Sequence, residues 1–362
     1  MWRIMLIGAV LAALGACGPG GSQPTGSQPP SGAASGGATA GSGGASGGAP
    51  PASTGGAPAG GTAAGAAPQK LAIGVPDPSL SYLPAHVAWK RGFFEEEGLN
   101  VEFPQVVGNA IIPSLLSGDI DFTTNLSSIG SHAGQGGPSK ILQFHSVKLQ
   151  HVLVVNPAIT DVQQLNGKRI TVQSPGTLPT FEAQKMAEHY GLRDVTYLSA
   201  GSEPERLATL DAGASDAYVA SVPGNIIAER RGFPTLLRFG NVLDVPQAGL
   251  GTSEDALRNK PDVIERALRA SARALPLLRS DRDDVIQMIA AWINLPPEDA
   301  ARAYDFVIDT FSANGIPTEA QQRAYLDLMV DTANVPADAP LDRIFDFALA
   351  RKVAAELGLP SQ

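Results

Sequence analysis

The chain has 362 residues, with 26 Lys and Arg against 35 Asp and Glu and a formal net charge of −9. That balance argues against a general nucleic-acid binder, which carries a basic face, but leaves room for a local anion site built from backbone amides. One Cys, Cys17, excludes an intramolecular disulfide and a multi-Cys metal site.

Taken in chain order, Met1–Ala16 is a targeting segment: Arg3 supplies the positive start, and Ile4–Leu14 is an apolar run too short for a typical membrane span. Leu14-Gly15-Ala16-Cys17 resembles a bacterial lipobox, in which the Cys becomes the lipidated first residue of the mature chain. Gly18–Pro68 is almost wholly Gly, Ala, Ser, Pro, Thr and Gln, cannot bury a core and is expected to be a tether. This predicts an exported protein, lipid-anchored at Cys17 on the cell membrane and facing the periplasm or the exterior. Residues 1–17 form the signal and lipobox, and residues 18–68 the tether.

The folded part opens with a strand at Leu71–Val75, then a turn-rich loop, Pro76–Tyr82. A helix is expected from Pro84, which suits a first helical turn, to Arg91, closed by Gly92. A strand around Val101–Val107 and a helix ending at Gly118 follow, and Gly118–Phe122 leads into the polar turn Asn125–Ser128. Alternating strand, polar loop and helix is the pattern of a parallel α/β sheet, which binds small ligands at its strand carboxyl ends. Ile141–Phe144 and Val152–Val155 read as strands, the second leaving the first lobe. The Gly167-Lys168 pair lacks the spacing of a phosphate loop and reads as a turn before a strand. Ser174–Thr180 leads into a helix ending near Tyr190-Gly191.

Leu115–Asp121 parallels Leu210–Asp216: a helix end, a closing Gly, then an Asp opening a strand that runs to a polar turn. This repeat predicts two similar lobes, with Asp121 and Asp216 anchoring strand starts rather than acting as a catalytic pair. Gln247–Ser253 is expected to cross back to the first lobe. Helices then complete it: an apolar stripe of Val263, Ile264, Ala267, Leu268 and Leu275, a capping box at Thr318–Gln321, and helices around Asp283–Trp292, Glu298–Thr310, Gln321–Val330 and Arg343–Leu357. Trp292, Tyr304 and Phe306 are assigned to the core.

Lys90-Arg91-Gly92-Phe93-Phe94 through Glu97-Gly98-Leu99, followed by Leu115–Asp121, resembles the solute-binding proteins of nitrate/sulfonate/taurine-type ABC importers, a superfamily shared with thiamine-pyrimidine binders. Leu165–Val172 is similar to the segment that leads into that family's second lobe. The resemblance runs from about Leu71 to the final helices. It implies a two-lobe periplasmic-binding-protein type II α/β fold, each lobe a mixed sheet flanked by helices, with a C-terminal helical extension. Lobe 1 would comprise residues 69–153 and 248–362, and lobe 2 residues 154–247. It also implies a permease and an ATPase as partners and closure around a small-molecule ligand, with no nucleic acid and a monomeric chain.

Ligand contacts are expected from Ser81, Tyr82, Asn125, Ser127 and Ser128 of lobe 1 and from Ser174, Gly176, Thr177, Ser221 and Val222 of lobe 2. Amides and hydroxyls at helix N-termini suit a sulfonate, carboxylate or nitrate-like anion, and Tyr82 suits stacking on a ring or capping the cleft. No Arg stands inside these four loops, so a thiamine-precursor pyrimidine stays open beside the anion. An enzyme is disfavoured. None of the five His forms a H-E-x-x-H pair, no Gly-x-Ser-x-Gly elbow is present, and the Cys-rich motif of the yeast pyrimidine-synthase relatives is absent. No cofactor or metal is expected. A sensor built on the same fold is a further alternative.

Overall fold

A computed structural model describes residues 67–76 and 78–361. The export segment, Cys17 and the tether up to residue 66 lie outside the described residues, as does Asp77. Ten strands and fourteen α-helices alternate along the described chain: β1 Gln69–Gly74, α1 Leu83–Lys90, α2 Phe93–Glu96, β2 Leu99–Glu102, α3 Ile111–Ser117, β3 Phe122–Thr123, α4 Leu126–Gly134, β4 Ser139–Phe144, β5 Val152–Val155, β6 Arg169–Val172, α5 Leu178–His189, β7 Thr196–Ser199, α6 Glu203–Asp211, β8 Ala217–Ala220, α7 Gly224–Arg230, β9 Thr235–Arg238, β10 Gly249–Ser253, then α8 Glu254–Asn259, α9 Pro261–Ser280, α10 Arg282–Ile293, α11 Pro297–Val307, α12 Glu319–Ala333, α13 Leu341–Ile344 and α14 Ala348–Glu356.

The strands form two five-stranded sheets, ordered β2-β1-β3-β10-β4 and β7-β6-β8-β5-β9. In each, the first three strands are parallel and the fourth is antiparallel to its neighbours. That fourth strand is the one that enters from the other sheet: β5 follows β4, and β10 follows β9. All of β5 belongs to the second sheet, so the first crossing lies before Val152 rather than within 152–155. The two crossing segments run side by side. The His145 and Ser146 amides donate to the Ala248 carbonyl (2.7 and 3.1 Å), and the Gln247 amide donates to the Ser146 carbonyl (3.0 Å).

The sequence repeat has a clear physical basis. Asp121 Oδ2 accepts from the Ala72 amide of β1 (2.9 Å), and Asp216 Oδ2 accepts from the Arg169 amide of β6 (2.9 Å). Each carboxylate ties the start of one strand to its parallel neighbour. Gly118 closes α3 at φ +82°, a left-handed backbone where any side chain would be strained.

The apolar stripe on α9 is buried as its periodicity predicts, and Thr318 and Gln321 exchange the two bonds of a capping box. Three local expectations shift. β2 stops at Glu102 because Pro104 has no N–H to pair; beyond it only a single bridge, Val75 to Gln105, extends the pairing. The Arg343–Leu357 helix breaks in two because Phe345 turns extended (φ −111°, ψ 138°). Its backbone bridges Ile141, and its ring stacks on Phe347 at 5.6 Å. Trp292 is only half-buried and lines a surface cavity, whereas Tyr304 is buried and donates to the Leu278 carbonyl (2.7 Å).

Candidate functional site

The polar turns assemble where the strand ends of both sheets meet. After β1, Leu80–Tyr82 makes one 3₁₀ turn capped by Ser79, whose Oγ accepts from the Ser81 amide. After β3, Asn125 caps α4: its Oδ1 accepts from the Ser128 amide (3.2 Å) and from Ser127 Oγ (2.9 Å). After β8, Ser221 precedes α7. The Leu80 amide donates to the Val222 carbonyl across the two sheets (3.0 Å), and Val222 and Ile226 pack in the apolar cluster that holds Leu80 and Leu83. The lobes therefore meet directly around a small cavity.

That cavity has a volume of about 40 Å³, room for a few waters. Tyr82, Asn125, Ser127 and Ser221 line it, as expected; so do His151, Gln173, Arg206 and Gln247, which the loop reading missed. The other expected residues are placed differently. Ser128, Gly176 and Thr177 line a separate cavity of about 300 Å³ between α4 and the loop before α5. Ser81 lies behind the small cavity, its Oγ 2.7 Å from Ser79 Oγ and 3.3 Å from Gln247 Nε2. Ser174 serves its own turn, its carbonyl accepting from Thr177 Oγ1 (2.7 Å) and Thr180 Oγ1 (2.6 Å). Val222 is a packing residue whose carbonyl is already used.

Arg206 carries the positive charge that the loops lack. It is 1% exposed. Nε donates to the Val219 carbonyl (3.1 Å), Nη1 to the Gly201 carbonyl (3.3 Å) and Nη2 to Glu203 Oε2 (2.6 Å), which also accepts from the Ser221 amide (3.1 Å). The guanidinium is thus fixed in place at the cavity wall and partly balanced by Glu203. Its sequence signal was a cation one turn inside a capped helix, Ser202 to Glu205, on that helix's buried face.

His151 and Gln247 sit on the two crossing segments. His151 Nδ1 is 2.8 Å from Glu182 Oε2, a carboxylate of α5 with no exposed surface. Gln247 Oε1 accepts from the Gln150 amide (2.5 Å), which turns its Nε2 toward His151 Nε2 (3.2 Å) and Ser81 Oγ. The result is a polar chain, Glu182–His151–Gln247–Ser81–Ser79, running from one lobe to the other through both crossings. With this amide orientation, assigned from the hydrogen-bond network, Nε2 accepts and Nδ1 carries the proton. Burial lowers the His151 pKa, but the Glu182 carboxylate raises it by more, so it sits above 6.5. A carboxylate-oriented His is half of a nucleophile-and-base pair; here Nε2 faces an amide, not a hydroxyl. Among the described residues, no three His, Cys, Asp or Glu side chains could hold a metal ion, and no helix is long and apolar enough to cross a membrane.

Two mixed sheets joined by paired crossings, with polar groups of both facing one cavity, define the two-lobe periplasmic-binding-protein fold. The family model described as NMT1/THI5 like matches residues 80–284, more than half of the chain, and the chain belongs to that family. Among solved structures, it is similar to the periplasmic nitrate-binding protein NrtA from Synechocystis PCC 6803 (15% identity, 80% of this chain and 89% of that one, TM-score 0.67). It is also similar to the periplasmic aliphatic sulphonate binding protein SsuA from Escherichia coli (19%, 77% and 92%, 0.62). A C27S mutant of DszB, in complex with biphenyl-2-sulfinic acid, shares the fold as well (15%, 80% and 99%, 0.57). No curated protein sequence matches the chain.

Proposed function

We propose that the protein is the extracytoplasmic solute-binding component of an ABC importer and takes a small organic anion, such as a sulfonate or carboxylate, between its lobes. The observation that carries this reading is the convergence of Arg206 with the Ser127, Asn125 and Ser221 turns of both sheets on one cavity. A fixed cation and hydroxyl and amide donors recognise a compact anion. With the expected boundary at residues 153 and 154 moved ahead of β5, lobe 1 would be residues 69–151 and 248–362 and lobe 2 residues 152–247. Opening about the two crossings would admit the ligand, and closure would present a new face to a permease.

Calorimetric titration with an alkanesulfonate, taurine, nitrate and a short carboxylate tests this. One of them should bind saturably. Ser127→Ala and Ser221→Ala should each weaken it by about 1.5–3 kcal/mol, roughly tenfold to a hundredfold. Equal affinity in both variants, or turnover of the ligand, ends this reading.

Cys17 is proposed to carry the lipid that holds the protein at the membrane as a monomer. Cys17→Ser should then move the protein to the soluble fraction or leave the precursor uncleaved. Unchanged membrane association with normal processing would refute the anchor.

A further inference from the structure

A second cavity, of about 460 Å³, opens on lobe 1 beside Tyr82, which lines both it and the cavity between the lobes. Its size falls in the range of small-molecule sites, about 300–1,000 Å³. The walls are rings brought together from three parts of the chain: His86 and Trp89 on α1, Phe103 after β2, and Trp292 on α10. His86 stacks on Trp292 (4.1 Å, 11°) and meets Trp89 edge-on (5.5 Å, 66°), and Trp89 meets Phe103 edge-on (5.8 Å, 66°). A core would close such a cluster. Here Trp89 stays 37% exposed and Trp292 is not fully buried.

His86 supplies the second observation. It is 5% exposed, it lines the cavity, and its Nε2 is buried with no hydrogen-bond partner. Burial and then the Lys90 charge push its pKa down to about 4, so the ring is neutral at physiological pH. Leaving a buried ring nitrogen unpaired is unfavourable, and a ligand with a complementary group would recover that cost.

The charges select further. No Lys or Arg lines the cavity; Lys90 lies over the Trp89 ring (4.1 Å), and Glu102 stands at the rim. Lys90 is engaged on the Trp89 ring and is not itself a lining residue, so an anion meets no cation in the wall, in contrast to the Arg206 wall of the cavity between the lobes. We propose that this cavity is a second binding site, for a small, planar, uncharged aromatic molecule that stacks among Trp89, Phe103 and Trp292 and, as the His86 ring turns toward it, hydrogen-bonds to Nε2. It does not depend on what the cavity between the lobes binds.

The test is a titration of the full ¹⁵N-labelled chain with benzimidazole near pH 7.5, following the indole N–H signals of Trp89 and Trp292, each assigned by Trp→Phe replacement. Both signals should shift saturably. Benzenesulfonate and benzyltrimethylammonium should shift them at least tenfold more weakly. Trp89→Ala, at a partly exposed position, should weaken benzimidazole at least tenfold. His86→Phe keeps the stacked ring and deletes the unpaired nitrogen; it should weaken benzimidazole at least threefold while leaving the melting temperature unchanged or higher. No saturable shift, unaltered binding in Trp89→Ala, or stronger binding of either charged probe would overturn the proposal.

Discussion

Replacing Glu182 with Ala is expected to destabilise the protein by about 3–5 kcal/mol, the usual result of removing one partner of a buried charged pair. Glu182 has no exposed surface and holds His151 Nδ1 at 2.8 Å. Without it, His151 is left buried with Gln247 alone, and the chain through both crossings loses its anchor. Glu182→Gln should cost much less, because its amide oxygen can still accept from Nδ1. Denaturant unfolding of the two variants against the parent measures both. Equal losses would mean that the cost lies in packing rather than in the pair.

The same pair predicts a pH dependence. Two influences oppose each other at His151: Glu182 favours the imidazolium, while the Gln247 amide favours a neutral ring with an accepting Nε2. A full charge at 2.8 Å in a buried site outweighs one neutral hydrogen bond, in keeping with the raised His151 pKa. Burial raises Glu182 as well, so both groups release protons later in the fold than in the unfolded chain. The folded state therefore binds more protons, and stability falls as pH rises. The His151 contribution is complete below its unfolded value of 6.5 and is lost as pH climbs through the higher folded value. In Glu182→Gln that decline should flatten.

The architecture was legible because its signals are local. Helix-closing glycines, a capping box at Thr318 and two Gly-to-Asp strand starts all follow from backbone chemistry read over a few residues. The site was half legible for the same reason. Asn125, Ser127 and Ser221 announce themselves as polar residues after an apolar strand. Arg206 lies inside a helix, and His151 and Gln247 lie 96 residues apart; only the side-by-side course of the two crossings brings those two together. The Thr177 hydroxyl donates to the Ser174 carbonyl, and a hydroxyl that serves its own turn has the same local sequence as one that faces a ligand. Trp292 was assigned to the core on type alone, and nothing local marked it as a cavity wall.

Arg206→Met should lower affinity for an anionic ligand about tenfold to a hundredfold, by loss of about 1.5–3 kcal/mol of charged hydrogen bonding. Met retains much of the apolar stem and removes the charge. The effect should persist in high salt, because a buried charge is poorly screened. Stability should also fall, because the Gly201 and Val219 carbonyls lose a donor and Glu203 loses its cation. Arg206→Lys separates the two roles. It keeps the charge but not the planar fork that serves several acceptors at once, so affinity should recover further than stability does. Titration at a temperature where all three proteins are folded, paired with thermal unfolding, reads each role independently. If the Met variant binds the anion as tightly as the parent, Arg206 only ties α6 to β8. Recognition would then rest on the neutral hydroxyls and amides of Ser127, Asn125 and Ser221, and a neutral heterocycle would fit that cavity better than an anion.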